Sequence, residues 1–255
     1  MRRIPPIDMH AHIEPDISSS DLLALEALVF AATRSLDEAE RVLQRTDSWT
    51  VWGVGCHPGL VSAQRAFDVD RFAELIALTP YVSEVGLDGK SRVPMGTQRA
   101  TLDAMLTAMQ ENPRLTSIHS FAATDTVLEC LTARPIHGAV LHWWLGNREQ
   151  TKQAIDLGCY FSVNASMLRQ QDLLASLPLD RVLAETDHPF GDKAGRRERR
   201  PGNVDSVERA LAQVHGVAPD DIRKVTWRNL SQLARATKCG ALLPRPVRMT
   251  LVAVA

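Results

Sequence analysis

Six side chains able to hold a metal ion stand at the ends of apolar runs spread along the chain: His10, His12, Glu84, His119, His142 and Asp187. The runs read IDMHAH, VSEVGLD, LTSIHS, AVLHWW and VLAETDHP. His10 and His12 form an HxH pair. Side chains two apart on a strand share a face, so both imidazoles can serve one ion. Neutral imidazole is a common ligand for zinc, nickel and manganese-type ions. Glu84 has two carboxylate oxygens and can bridge two ions. Asp187 can bind an ion and also accept a proton from an attacking water. Asp8 is expected to fix an imidazole by hydrogen bonding, and Asp88 to order its own loop. Each signal is weak alone. Together they predict one or two divalent ions, with zinc, manganese, magnesium and nickel all compatible with the mixed nitrogen and oxygen set.

Other residues face the same chemistry. His57, in GVGCHPG, ends a strand and is expected beside the substrate rather than as a permanent ligand. Trp143 and Trp144 follow His142; one is expected to pack the interior and Trp143 to offer a stacking face. His188 should point away from Asp187. His137 and His215 receive no role.

These residues need elements that bring them together. Eight apolar, β-rich segments are predicted as strands: Arg3–Met9, Ala27–Ala32, Thr50–Gly55, Tyr81–Val85, Leu115–His119, Gly138–His142, Cys159–Val163 and Arg181–Glu185. Helical stretches alternate with them: Leu36–Gln44, Val69–Ala77, Ala100–Gln110, Thr126–Thr132, Glu149–Leu157, Gln171–Ser176, Asp205–His215 and Asp220–Thr237. Ser35 followed by Glu38 gives the second strand's helix a capping-box pattern. Strands alternating with helices predict a parallel sheet, and eight strands favour a closed (β/α)8 TIM barrel, whose strand ends open onto one catalytic face. The expected division is one domain over residues 1–240 and a tail over 241–255. Gly240 should stop the last helix, Leu243 to Pro246 should be extended, and the β-forming residues beyond should pack on the barrel or dock on a partner.

The composition narrows the function. The 255 residues carry a formal net charge of -1, so no global positive field draws the protein to nucleic acid, and any such contact must be local. The four cysteines are widely spaced without CxxC, which fits a reducing compartment. No apolar h-region follows MRRIPP, and no apolar run approaches a membrane span. A cytoplasmic protein is expected. Neither GxGxxG nor a P-loop is present, so no nucleotide cofactor is expected.

The segments IDMHAHIE, GVGCHPG, EVGLDG, SIHS, LHWWLG and ETDHPF, with VTWRNLSQLAR and its Asn229, resemble the TatD-related metal-dependent hydrolases of the amidohydrolase superfamily. The resemblance runs to about Thr237. It implies an amidohydrolase-like barrel, a one- or two-metal site and phosphodiester hydrolysis, commonly of DNA. It also implies that His10, His12 and Asp187 bind one metal, His119 and His142 the other, and Glu84 bridges them. Met9, Glu14 and HWWLG depart from the family pattern without removing a ligand, and bear on substrate choice. EVGLDG, LHWWLG, DLGCYFSV and ETDHPF are similar to the TatD-like subgroup encoded with anti-phage Qat gene clusters, which implies other subunits of a defence complex as partners.

The expected chemistry is attack of water on phosphorus with Asp187 as base and Glu84 as bridge, and His57 on a nonbridging oxygen. Arg92, Arg196 and Arg197 are expected to supply phosphate contacts, the latter two within GRRERR after the last strand. The competing readings are a small-molecule metallohydrolase (lactonase, amidohydrolase or phosphotriesterase) and a subunit active only in a larger assembly. Such small-molecule families often use a bridging carboxylated lysine; here Glu84 takes that place and Lys90 lies beyond it.

Overall fold

The computed structural model describes residues 4–191 and 200–254. Arg196 and Arg197 lie outside the described residues, as does Arg3 at the head of the first expected strand. Among the described residues, nine short strands are all paired in parallel: β1 (Ile7–Ala11), β2 (Leu28–Ala31), β3 (Thr50–Trp52), β4 (Val54–Gly55), β5 (Tyr81–Gly86), β6 (Leu115–His119), β7 (Ala139–Leu141), β8 (Tyr160–Val163) and β9 (Val182–Ala184). They run in sequence order, β1 to β3 and β4 to β9. The expected strand Thr50–Gly55 is divided at Gly53, which raises eight strands to nine. At Gly53 a Cβ would lie 2.5 Å from the Tyr81 ring and 2.7 Å from the Ser83 Cβ. Thr33 spans the break: its hydroxyl donates to the Gly53 carbonyl and accepts from the Gly55 amide.

No ladder joins β1 to β9, yet the barrel closes there. The Asp187 amide donates to the His10 carbonyl at 2.8 Å, and the His12 amide to the His188 carbonyl at 2.9 Å. The Asp8 carboxylate, fully buried, accepts from the Thr186 amide, the Thr186 hydroxyl and the Gly202 amide at 2.7–2.8 Å. Asp8 therefore clamps backbone rather than an imidazole, a correction to its expected role. Its short side chain emerges beside the seam, where unpaired amides need an acceptor.

Around the barrel lie α1 (Ser19–Leu23), α2 (Leu36–Val42), α3 (Val61–Arg65), α4 (Val69–Ile76), α5 (Met95–Glu111), α6 (Thr124–Ala133), α7 (Arg148–Asp156), α8 (Gln171–Ser176), α9 (Asp205–His215), α10 (Pro219–Ala236) and α11 (Arg245–Val254). The α2 cap is half as expected: Ser35 accepts from the Glu38 amide, but Glu38 reaches back to the Arg34 amide at 2.7 Å. Two cores result. Outward strand residues such as Val82, Ile118 and Phe161 pack with the helices. Inward residues, Ile7, Met9, Phe30, Tyr81, Val140 and Leu183 among them, pack with Trp227, Leu230 and Leu233 of α10. Helix α10 is fastened beneath the strands: Asn229 donates to the Leu179 and Val182 carbonyls, and Trp227 to the Pro5 carbonyl.

The tail is not extended. Leu243 is, with φ −67° and ψ 146°, but Arg245–Val254 is helical. Pro246 sits in the first turn, where no intrahelical amide is required. Val247 and Leu251, one turn apart, are buried in the inner core against α10. The segment packs on its own chain.

Candidate metal centre

Two strands are irregular where they carry the candidate ligands. Register shifts between Asp8 and Ala11 in β1, around His10, and between Val82 and Val85 in β5, around Glu84. Such irregularities re-aim side chains. Glu84 has φ 31°, and Trp143 and Asp187 both have φ 44°. Left-handed backbone at non-glycine residues costs of order 1–3 kcal/mol and persists only where packing dictates it. Gly86 follows in β5 with φ 134°; a Cβ there would lie 2.1 Å from the His119 carbonyl oxygen, so glycine lets β5 and β6 approach with both ligands in place.

The six expected residues converge at the mouth of the barrel, and all but His12 and His119 are fully buried. Glu84 divides them. Its Oε2 lies 3.1 Å from His12 Nε2 and 3.9 Å from His10 Nε2. Asp187 Oδ1 completes that group, 3.5 Å from His12 and 3.8 Å from His10. Glu84 Oε1 faces the other side, 3.5 Å from His119 Nδ1 and 4.0 Å from His142 Nε2. The two ring nitrogens of that second group are 3.2 Å apart. Ligand atoms on a tetrahedral shell of radius about 2.0–2.2 Å stand about 3.3–3.6 Å from one another. The donor atoms of the two groups stand 3.1–4.0 Å apart, which brackets that spacing. Glu84 Oε2 is buried and accepts no hydrogen bond among the described residues, and a cation is what such an orphan lacks.

His57 also reaches Glu84 Oε1, at 3.1 Å from Nε2, and geometry alone forms metal-sized clusters of His57, Glu84 and His119, of His10, Glu84 and His142, and of His10, His12 and Asp187. The His57 tautomer argues against the first. The Gly59 amide donates to His57 Nδ1 at 2.8 Å, so in the neutral ring the proton sits on Nε2. That nitrogen donates and offers no lone pair. His10 is the converse: Ser117 Oγ lies 2.7 Å from Nδ1 and Tyr81 Oη 3.3 Å, holding Nε2 toward the first group. His10 and His142 stack with centroids 4.4 Å apart.

Electrostatics follow from charges packed without water. Burial opposes the charged form of His12, but the Glu84 and Asp187 carboxylates prevail and raise its pKa to about 10. His142 rises to about 9 in the same way, against burial and chiefly through Glu185, then Asp187 and Glu84. Burial, then His142, drives His10 well below its usual value. Burial would raise Glu84; His12, His119 and His57 hold it well below the carboxylate range instead. Asp187 is raised, first by burial.

Sequence reasoning missed Glu185, whose buried carboxylate accepts from the Trp143 amide and from the Ser162 and Asn164 side chains, with His142 Nδ1 at 3.8 Å. A charged residue at an apolar strand's end was its only signal. Trp144 is the packing tryptophan, donating to Thr151 at 2.9 Å, and half-buried Trp143 lines the mouth. Asp88 orders its loop through the Lys90 amide, aided by Gln98. Arg92 is exposed and does not line the cavity; Arg34, just past β2, does. The cavity over the metal centre has a volume of about 650 Å³ and an apolar rim of Leu60, Phe121, Leu145 and Phe190, all exposed.

The sequence matches the family described as TatD related DNase over residues 7–235. The chain belongs to that family. It is accordingly a metal-dependent hydrolase of phosphodiester bonds. Human deoxyribonuclease TATDN3 is 26% identical over 258 residues, covering 89% of this chain and 93% of the human protein. The 3'-5' ssDNA/RNA exonuclease TatD of Klebsiella pneumoniae is 28% identical over 155 residues, covering 56% of this chain and 57% of that protein. The crystal structure of the TatD homolog YjjV from Escherichia coli superposes with a TM-score of 0.79 over 89% of this chain and 97% of that one, at 22% identity, and shares its barrel fold. None of the described helices is long and apolar enough to cross a membrane.

Proposed function

We propose that this TatD-family chain hydrolyses DNA, with His10, His12 and Asp187 holding one divalent ion, His119 and His142 a second, and Glu84 bridging them. The observation that carries this reading is the division of Glu84, one oxygen toward each set of nitrogens. When bound, the ions supply positive charge to the phosphate and acidify water. The protein's own groups do the rest. Asp187 accepts the proton of the attacking water. His57 presents Nε2–H to a nonbridging phosphate oxygen. Glu185 anchors the Trp143 amide, so the Trp143 ring stands at the mouth to stack on a base.

Three further proposals rest on sequence. Residues 1–240 form the catalytic unit and 241–255 its appendage. Arg196 and Arg197 contact the phosphate backbone. The Qat-like segments propose activity alongside other products of a defence cluster, which co-purification tests. The small-molecule reading has less support: Lys90 is exposed in its loop, and Glu84 takes the bridging place. The deciding experiment measures hydrolysis of single-stranded and duplex DNA and of an ester and lactone panel, with magnesium, manganese, zinc and nickel. Cleavage of DNA with esters untouched is expected; ester turnover without DNA cleavage would overturn the proposal.

A further inference from the structure

A second cavity, of about 420 Å³, opens beside the one over the metal centre. The two share three residues, His12, Arg34 and Phe190. The shared residues form a ridge. Phe190 is 58% exposed and stands edge-on to the His12 ring with centroids 5.5 Å apart. Arg34 is held by Glu38, which takes the Arg34 amide at 2.7 Å and one guanidinium nitrogen at 2.9 Å. The other guanidinium donors have no protein partner among the described residues, so a directed fork remains for a ligand. Beyond the ridge the cavity is floored by Ile13, Ile17 and Ala32, with Glu14 and Glu38 on its wall.

Among the described residues that line it, two carboxylates stand against one guanidinium, which Glu38 already holds, so an uncharged base would meet apolar side chains and hydrogen-bond acceptors there. The guanidinium at the ridge suits a phosphate oxygen, and an exposed aromatic ring suits a base face. We propose that the second cavity is a nucleotide subsite: it takes the base next to the scissile phosphate, Phe190 stacks on that base, and Arg34 grips the adjoining phosphate. The inference rests on the nuclease reading above and adds which neighbour of the cleaved bond the protein recognises. It makes Arg34 and Phe190 determinants of the preference for a polynucleotide over a simple diester.

The test compares a single-stranded oligonucleotide with bis(p-nitrophenyl) phosphate, a diester too short to reach across the ridge. Wild type, Arg34→Gln, Phe190→Ala and the cavity-filling Ile17→Trp are assayed with manganese, and thermal melts confirm folding. Phe190→Leu replaces the alanine variant if that one melts early. Each variant is expected to lose about 5- to 150-fold more kcat/KM on the oligonucleotide than on the small diester, the range that base stacking spans. Arg34→Gln should also reduce the slope of log kcat/KM against log salt by about 0.7, the single-strand value for one phosphate contact. Equal losses on both substrates, or no loss on either, would overturn the subsite while leaving the nuclease reading intact. Wild-type enzyme that cleaves the small diester but no oligonucleotide would overturn both.

Discussion

On the proposed mechanism Asp187 has two duties, and they can be separated. Asp187→Asn keeps the size of the side chain but cannot take a proton at neutral pH. Turnover should fall by about 10²–10⁴-fold, as removal of a general base typically does, while binding of a single-stranded oligonucleotide changes far less. Metal content of the variant must be measured alongside; near wild-type turnover would remove Asp187 from the reaction. The imidazoles give a second prediction. In the metal-free protein His12 titrates near 10 and His142 near 9, both above the usual 6.5. A raised pKa means that the protonated rings stabilise the metal-free fold, fully below pH 6.5 and no longer once pH passes those values. An ion must displace these protons. Loading a weakly buffered protein at pH 8 should release about two protons per chain, and almost none once pH is well above 10. An indicator dye reads this directly. No release at pH 8 would mean that these two rings do not serve as ligands.

At the scale of the element, the sequence told more about what the strands carry than about how they carry it. Apolar runs marked the strands, and the polar residues ending them marked the site, because a buried parallel strand has little other use for histidine or glutamate. The irregular registers around His10 and Glu84 and the left-handed backbone at Glu84, Trp143 and Asp187 left no trace in composition. They arise from neighbours: Gly86 against His119, and the seam beside Asp187. The one-turn helices α1 and α3 are too short for a periodic signal. The tail misled for a related reason. Its valines and leucine favour strand locally, yet Val247 and Leu251 fall on one helical face and find α10 waiting. Tertiary packing overrides propensity. Removing residues 243–255 should therefore cost roughly 3–6 kcal/mol, the burial of those two side chains, and lower the melting temperature by about 10 °C. A melt unchanged by the deletion would show α11 to be idle surface.

For the whole molecule, the proposed metal centre would double as a cross-tie. Its residues come from β1, β5, β6, the end of β7 and the turn after β9, so ions bound there join strands on opposite sides of the barrel. Ligands that bind only the folded state stabilise it by about 2.7 kcal/mol at a hundredfold excess over Kd. Chelation should lower the melting temperature of wild type by several degrees and leave Glu84→Ala unmoved, since that variant should hold little metal. Elemental analysis of both proteins after loading completes the check; equal metal content in the two would sink the bridging assignment. The topology was legible because every β–α unit is local in sequence, whereas the closing seam joins the chain's first strand to its last and depends on one carboxylate. That carboxylate has an evolutionary consequence. Asp8 grips Thr186 just before Asp187 and Gly202 well beyond it, so two distant points of the chain are held at a single rivet. Descendants can change Phe190, which stands at the mouth between those two grips, and alter what the enzyme accepts without renegotiating the scaffold beneath.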